Sequence, residues 1–144
     1  MKTLDVINVY KVLNEAKLSK MDDSDKFKVI KAVRALRAIA NDFEELVKDV
    51  QEKLKDESFA EMQAKAQKWQ DEGEKTSLSI DERKSINQYF SDYSNKVDKC
   101  LKEEGEKDNE LTFEKLTDEA LDKLSSSNDW NVKTIIQVQD ALCL

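Results

Sequence analysis

The apolar residues of this chain recur at helical spacing, most clearly between positions 25 and 56. Steps of three and four residues separate them there, which is the spacing of one face of an α-helix. The positions concerned are Val29, Val33, Leu36, Ala40, Phe43, Val47, Val50 and Leu54. We therefore predict a helix over 25–55, about 45 Å long, whose broad apolar face contacts at least two neighbouring helices.

The segments on either side of this helix predict a boundary before it and another after it. A first helix is expected to begin at Thr3, as its capping residue, and to run to about Leu18. After Leu54 the apolar register shifts, and Ser58-Phe59-Ala60-Glu61 has the form of a capping box. We expect the long helix to break or bend near Ser58.

The second half of the chain predicts another long helix and a short helical pair. Ser79-Ile80-Asp81-Glu82 repeats the capping-box form and opens a helix over 81–104, with Gly105 as its left-handed C-terminal stop. The tail, 113–143, has the spacing of two short helices, the second capped by Asn131. These elements predict an all-α fold in one domain, 1–144. We expect an elongated bundle of about four to six helices built around 25–56 and 81–104.

The composition excludes several kinds of chemistry. The chain contains neither His nor Pro, and only two Gly. Without His there is no imidazole base, no His-ligated zinc or haem, and no Ser-His-Asp or Cys-His pair. Two glycines are too few for a phosphate-binding or dinucleotide-binding loop. We predict that the protein is not an enzyme and takes no cofactor, metal or small-molecule substrate.

The cysteines and the distribution of charges bear on the compartment. Two cysteines are too few for a metal site or a disulfide scaffold, and Cys100 falls on the apolar face of the 81–104 helix, so it is expected to be an inert core residue. Asp5 stands where a signal peptide would have its apolar run. No uncharged stretch approaches the ~20 residues that span a bilayer. We expect a cytoplasmic protein with no membrane contact.

Charge is distributed unevenly along the chain, whose net charge is −7. Residues 1–37 have a net charge of +4 and residues 38–144 a net charge of −11. Four cations fall within ten residues, and two of them, Lys31 and Arg34, lie nearly opposite Leu36 on the helix. The cations are Lys28, Lys31, Arg34 and Arg37. They form either the solvated back of a helix or an electropositive patch for an acidic partner or phosphates, and they are the candidate partner-binding residues.

Two alternatives from other functional classes follow from the same charges. The basic segment 26–37 predicts weak nucleic-acid binding, although aromatic residues are not interleaved with its cations to stack on bases. A dense acidic strip predicts instead a nucleic-acid mimic that blocks a basic protein. The acidic strip consists of Glu44, Glu45, Asp49, Glu52, Asp56 and Glu57.

The order of elements resembles that of small all-helical accessory proteins encoded by phages and prophages, a group mostly without an assigned role. The resemblance lies in the short first helix over 5–13, the connection with Lys17-Leu18, the segment 27–34, the long charged helix, the acidic middle, and the tail Leu111-Thr112-Phe113-Glu114-Lys115-Leu116. It implies a helical, non-enzymatic partner in virion assembly or host takeover, and it assigns no functional residues.

These patterns together predict a protein–protein interaction or structural accessory protein. The expected mechanism is the burial of leftover apolar surface on helix faces, against a protein partner or a second copy.

Overall fold

The computed structural model describes residues 1–143, and six α-helices with no β-strand account for the regular structure of that part of the chain. The helices are α1 (Thr3–Asn14), α2 (Asp23–Lys53), α3 (Phe59–Glu72), α4 (Ile80–Glu106), α5 (Asp118–Ser127) and α6 (Val132–Leu142). A 3₁₀ turn, Gly73–Lys75, follows α3. The predicted all-α class and helix number are confirmed. The predicted long helix is α2, with 31 residues.

The chain divides into two compact units. Unit 1 comprises Met1–Glu44 and the chain from Glu104 onward, and unit 2 comprises Glu45–Glu103. Unit 1 contains α1, the first part of α2, α5 and α6, which share one hydrophobic core. Its largest fully buried side chains are Val6, Val29, Leu36, Leu116, Leu124, Val138 and Leu142. Each such side chain stabilises the fold by about 1.5–3 kcal/mol relative to an exposed position.

The break near Ser58 is confirmed, because α2 ends at Lys53 and α3 begins one residue after Ser58. Ser58 occupies the N-cap position, but its side chain makes no capping bond. Asp56 accepts a hydrogen bond from the Ser58 backbone N–H instead, at 3.0 Å. At the start of α4 the predicted cap does form, since Ser79 Oγ accepts from the Glu82 N–H at 3.1 Å.

The predicted capping role of Thr3 is wrong. Helix α1 has Lys2 at its N-cap position, without a side-chain capping bond. Thr3 is only 5% exposed; its N–H donates to the Lys107 carbonyl at 3.0 Å. Its Oγ1 accepts from Asn109 Nδ2 at 2.9 Å. Thr3 therefore attaches α1 to the segment that follows α4, and α1 ends at Asn14, earlier than predicted.

The predicted left-handed stop at Gly105 is also wrong. Gly105 lies inside the last turn of α4, and a Cβ added there would approach Leu4 Cγ to 3.1 Å. Gly105 is thus suited to the close approach of α1. A positive φ occurs instead at Gly73, at +57°, which glycine adopts readily because it has no Cβ. The Gly73 N–H donates to the Trp69 carbonyl at the end of α3.

Helix α5 begins later than the predicted start at residue 113. Leu111 and Phe113 are half-buried while Thr112 between them is exposed, the alternation of an extended segment. The Leu116 N–H donates to the Leu142 carbonyl at 2.7 Å, which holds this segment beside the end of α6. Thr117 then caps α5 by accepting from the Ala120 N–H at 3.2 Å.

Cys100 is exposed, so its predicted core position is wrong. The buried face of α4 contains Ile86 and Val97. This buried face is narrower than the apolar face predicted from the sequence. Cys143 is the buried cysteine, and its burial raises the pKa of the thiol.

The turn between α5 and α6 is fastened to the α1–α2 connection by one side chain. Asn128 Oδ1 accepts from the Lys17 N–H at 2.8 Å. Asn128 Nδ2 donates to the carbonyls of Lys17 and Leu124, each at 2.9 Å. Three residues later, Asn131 caps α6 as predicted, by accepting from the Thr134 N–H at 2.9 Å.

Replacing Asn128 with Ala removes three hydrogen bonds and is expected to lower the free energy of unfolding by about 2 kcal/mol. Urea denaturation at pH 7 measures the change. The matched control is Asn95→Ala, at an exposed position of α4, which should be neutral or slightly stabilising. Equal effects of the two substitutions would show that the Asn128 bonds contribute nothing.

Candidate functional site

The exposed side of α2 in unit 1 combines apolar and cationic side chains. Val29, Ala32 and Leu36 are buried, so residues about half a turn away face solvent. Phe27 is 62% exposed and Ile30 is 39% exposed. We call this surface the cationic–apolar face, and it consists of Phe27, Ile30, Lys31, Arg34 and Arg37.

The cations of this face are poorly neutralised. Within residues 1–143, neither Arg34 nor Arg37 makes an ion pair, and both are exposed. Lys31 Nζ lies 3.6 Å from Glu114 Oε1, but both side chains are more than half exposed. Such a surface pair contributes at most about 1 kcal/mol. The face therefore presents two unpaired guanidinium groups and one weakly paired ammonium group.

Three of the four predicted partner-binding residues lie on this face, and one does not. Lys28 is half-buried, and its Nζ lies 3.8 Å from the carboxylate of Asp25 in the preceding turn. The structure thus brings together Lys31, Arg34 and Arg37 and turns Lys28 towards its own helix.

The sequence interpretation missed Phe27, whose exposed ring lies one turn before Lys31 on the same side of α2. The signal was present, because Phe27 precedes Leu36 by nine residues, or about 180° around a helix. Large apolar side chains that stay exposed beside arginines are typical of interaction surfaces, where aromatic residues and Arg are enriched.

A second surface of unit 1 combines apolar residues with acids. On α6, Val132 is 71% exposed and Ile136 is 49% exposed, and Asp140 follows one turn later. A cavity of about 200 Å³ lies between α1 and α6, and Asp140 is one of its lining residues. The cavity is lined by Met1, Asp5, Asn8, Val9, Gln137, Asp140 and Ala141, and the N-terminal ammonium group of Met1 is paired with Asp108 at 3.1 Å. Pockets for small molecules usually exceed ~300 Å³, so this cavity is suited to a single side chain, and its carboxylates favour a cation.

The aromatic cluster of unit 2 is held together by ring packing and by hydrogen bonds from its two tyrosine hydroxyl groups. Four rings, with centroids 5.1–6.5 Å apart, lie on α3 and α4: Phe59, Tyr89, Phe90 and Tyr93. Tyr89 Oη donates to Asp56 Oδ1 at 2.5 Å, and Tyr93 Oη donates to the Gln51 carbonyl at 2.7 Å. These bonds tie the end of α2 to α4, which is a structural role.

The Tyr89–Asp56 hydrogen bond changes the titration of both groups. It stabilises the phenol and the carboxylate, so the pKa of Tyr89 rises to about 12. The same bond is the main reason that the pKa of Asp56 falls below its usual 3.8.

The acidic strip is partly occupied by contacts within unit 2 itself. Glu52 Oε2 lies 3.0 Å from Lys55 Nζ. Asp56 accepts from the Tyr89 hydroxyl group and from the Ser58 N–H. These two carboxylates are less available to a basic partner than the sequence suggests.

Substitution of Asp56 by Asn is expected to lower the pKa of Tyr89 from about 12 towards 10, because the amide cannot stabilise the phenol as the carboxylate does. Alkaline titration followed by tyrosinate absorbance measures the shift. Asp98→Asn, on an exposed position of α4, is the matched control. Superimposable titrations of the wild type and Asp56→Asn would contradict the assignment of this bond.

The same bond gives stability a defined pH dependence. Since the pKa of Tyr89 is raised, its contribution is complete below pH 10 and is lost as the pH rises through about 12. Since the pKa of Asp56 is lowered, its contribution is present above 3.8 and is lost as the pH falls further. In denaturation experiments Tyr89→Phe should remove the alkaline dependence and weaken the acidic one, because the Ser58 N–H still donates to Asp56 in that variant.

Residues 1–143 contain no group of three or more Asp, Glu or Cys side chains placed to hold a metal ion. None of the helices within that range is both long enough and apolar enough to cross a membrane. No protein family, no curated protein and no solved structure matches this chain.

Proposed function

We propose that this protein is a non-enzymatic interaction module that docks through the cationic–apolar face of α2 onto an acidic surface of a protein. The observation that carries the proposal is the exposure of Phe27 on the side of α2 that also presents the unpaired guanidinium groups of Arg34 and Arg37, about two and three turns further along the helix. The fold gains nothing from an aromatic ring in water, whereas a partner that covers the ring removes its apolar surface from solvent.

The two kinds of side chain on this face have complementary roles in binding. Complete burial of an exposed Phe or Ile side chain contributes about 1.5–3 kcal/mol. The guanidinium groups supply direction, because each forms two parallel hydrogen bonds to a carboxylate. A partner with carboxylates beside apolar side chains fits this face, and its charges also accelerate association.

A protein partner fits this face better than a nucleic acid does. Proteins that bind single strands stack successive bases on several aromatic rings, whereas this face has one ring, Phe27. Asp25 pairs with Lys28 and Glu114 with Lys31, which leaves, among the described residues, two unpaired cations, Arg34 and Arg37, on this part of α2. The affinity of a nucleic acid depends on a longer series of phosphate contacts.

The biological setting is part of the proposal. We place the module in the cytoplasm, as an accessory protein of the kind that phages and prophages encode. The support for this setting is the order of helical elements, together with the scarcity of Cys. The role of the cationic–apolar face does not depend on it.

Photo-cross-linking tests the docking role directly. With p-benzoylphenylalanine in place of Phe27, irradiation of cells that produce the full chain should give protein adducts. Arg34→Glu should reduce these adducts about tenfold or more, because it replaces an attractive charge with a repulsive one. The control places the same group at Gln63, an exposed position of α3 in unit 2.

Mass spectrometry of the adducts decides between the alternatives. Protein adducts at position 27 that exceed those at position 63 and require Arg34 support the proposal. Adducts to nucleic acid, or equal protein adducts at the two positions, would contradict it.

A further inference from the structure

We infer that the cationic–apolar face binds a surface on a second copy of the same chain. The inference rests on the function proposed above and names its partner. In this arrangement, the cationic–apolar face of one copy docks onto α6 of another copy. We call the receiving surface the acidic–apolar face, and it consists of Asp5, Val132, Ile136 and Asp140.

The apolar parts of the two faces match in number. The described residues include six large apolar side chains that are strongly exposed. Two of them, Phe27 and Ile30, lie on the cationic–apolar face, and two, Val132 and Ile136, lie on α6. The contact would therefore cover four of the six, and both faces belong to unit 1.

The charges match in kind and in spacing. Arg34 follows Ile30 by four residues on α2, and Asp140 follows Ile136 by four residues on α6. Each pair spans about 6 Å along its helix. When the two helices run parallel with Ile30 against Ile136, the guanidinium group of Arg34 reaches Asp140.

The cavity beside Asp140 is suited to that guanidinium group. Asp5 and Asp140 line it from two helices, and neither makes an ion pair within residues 1–143. The amide side chains of Asn8 and Gln137 add oxygen acceptors. A guanidinium group has five N–H donors in a plane, so carboxylates and amides can bind it together. A volume of about 200 Å³ accommodates the end of one side chain.

The size of the contact sets the expected affinity. One helix face per copy buries less than the ~1,200 Å² of a standard stable interface. The association should be weak, with a Kd on the order of 100 μM, and added salt should weaken it further because the ion pairs lie near the surface.

Sedimentation equilibrium of the full chain tests the inference, at concentrations from about 10 μM to 1 mM. The average mass of the wild type should rise above 16.6 kDa with concentration. Arg34→Glu alone and Asp140→Lys alone should each weaken association about tenfold or more. The double variant should recover it, because the reversed charges again attract one another.

Two further samples complete the experiment. A mixture of the Arg34→Glu and Asp140→Lys variants should associate more strongly than either variant alone. The Asp140→Lys chain keeps an intact cationic–apolar face, and the Arg34→Glu chain keeps the intact acidic–apolar face that it binds. The matched controls are Lys84→Glu and Asp98→Lys, which reverse charges at exposed positions of α4. Both controls should associate like the wild type.

The results separate this inference from the proposed function. A wild type that remains at 16.6 kDa at 1 mM overturns self-docking, and so does a double variant that fails to recover association. If adducts from position 27 to another protein still require Arg34, the docking role stands with a different partner. If those adducts are also independent of Arg34, both proposals fail.

Discussion

The burial of one side of α2 determines which side chains of that helix face solvent. Val29, Ala32 and Leu36 are buried in the core that α1, α5 and α6 share, and this burial fixes the rotation of α2 about its axis. Since side chains follow one another at about 100° around a helix, the same burial places Phe27 and Arg34 in solvent. The cationic–apolar face is therefore a direct consequence of how the core packs.

Helical periodicity and local capping rules predicted much of the fold, whereas long-range contacts account for the errors at Thr3 and at the start of α5. Ser79 and Asn131 cap their helices as predicted, because a cap depends on residues three positions away. Thr3 bonds instead to Lys107 and Asn109, more than a hundred residues along the chain. The late start of α5 has a similar cause, since Leu116 pairs with the end of α6.

Some features of the candidate site were likewise predictable from helical spacing, whereas others depend on residues that are distant in the sequence. The positions of Lys31 and Arg34 followed from spacing alone, and the exposure of Phe27 could have been derived by the same arithmetic. Lys28 lies about 80° from Leu36 around the helix, at the edge of the buried side, and spacing predicts this position too. The cavity between α1 and α6 requires Asp5 and Asp140 to meet across 135 residues of sequence, which no local pattern indicates.

Mixed-isotope cross-linking tests most directly whether carboxylates of another chain cover the cationic–apolar face. Equal amounts of ¹⁵N-labelled and unlabelled protein are mixed and treated with a carbodiimide, which joins lysine amines to nearby carboxylates. Within residues 1–143, Lys31 pairs with Glu114 at 3.6 Å, and this pair serves as the internal reference. The expected product links Lys31 of one copy to Asp5 or Asp140 of the other, with mixed isotope masses. Cross-links from Lys31 to Glu114 alone, within single chains, would contradict the account.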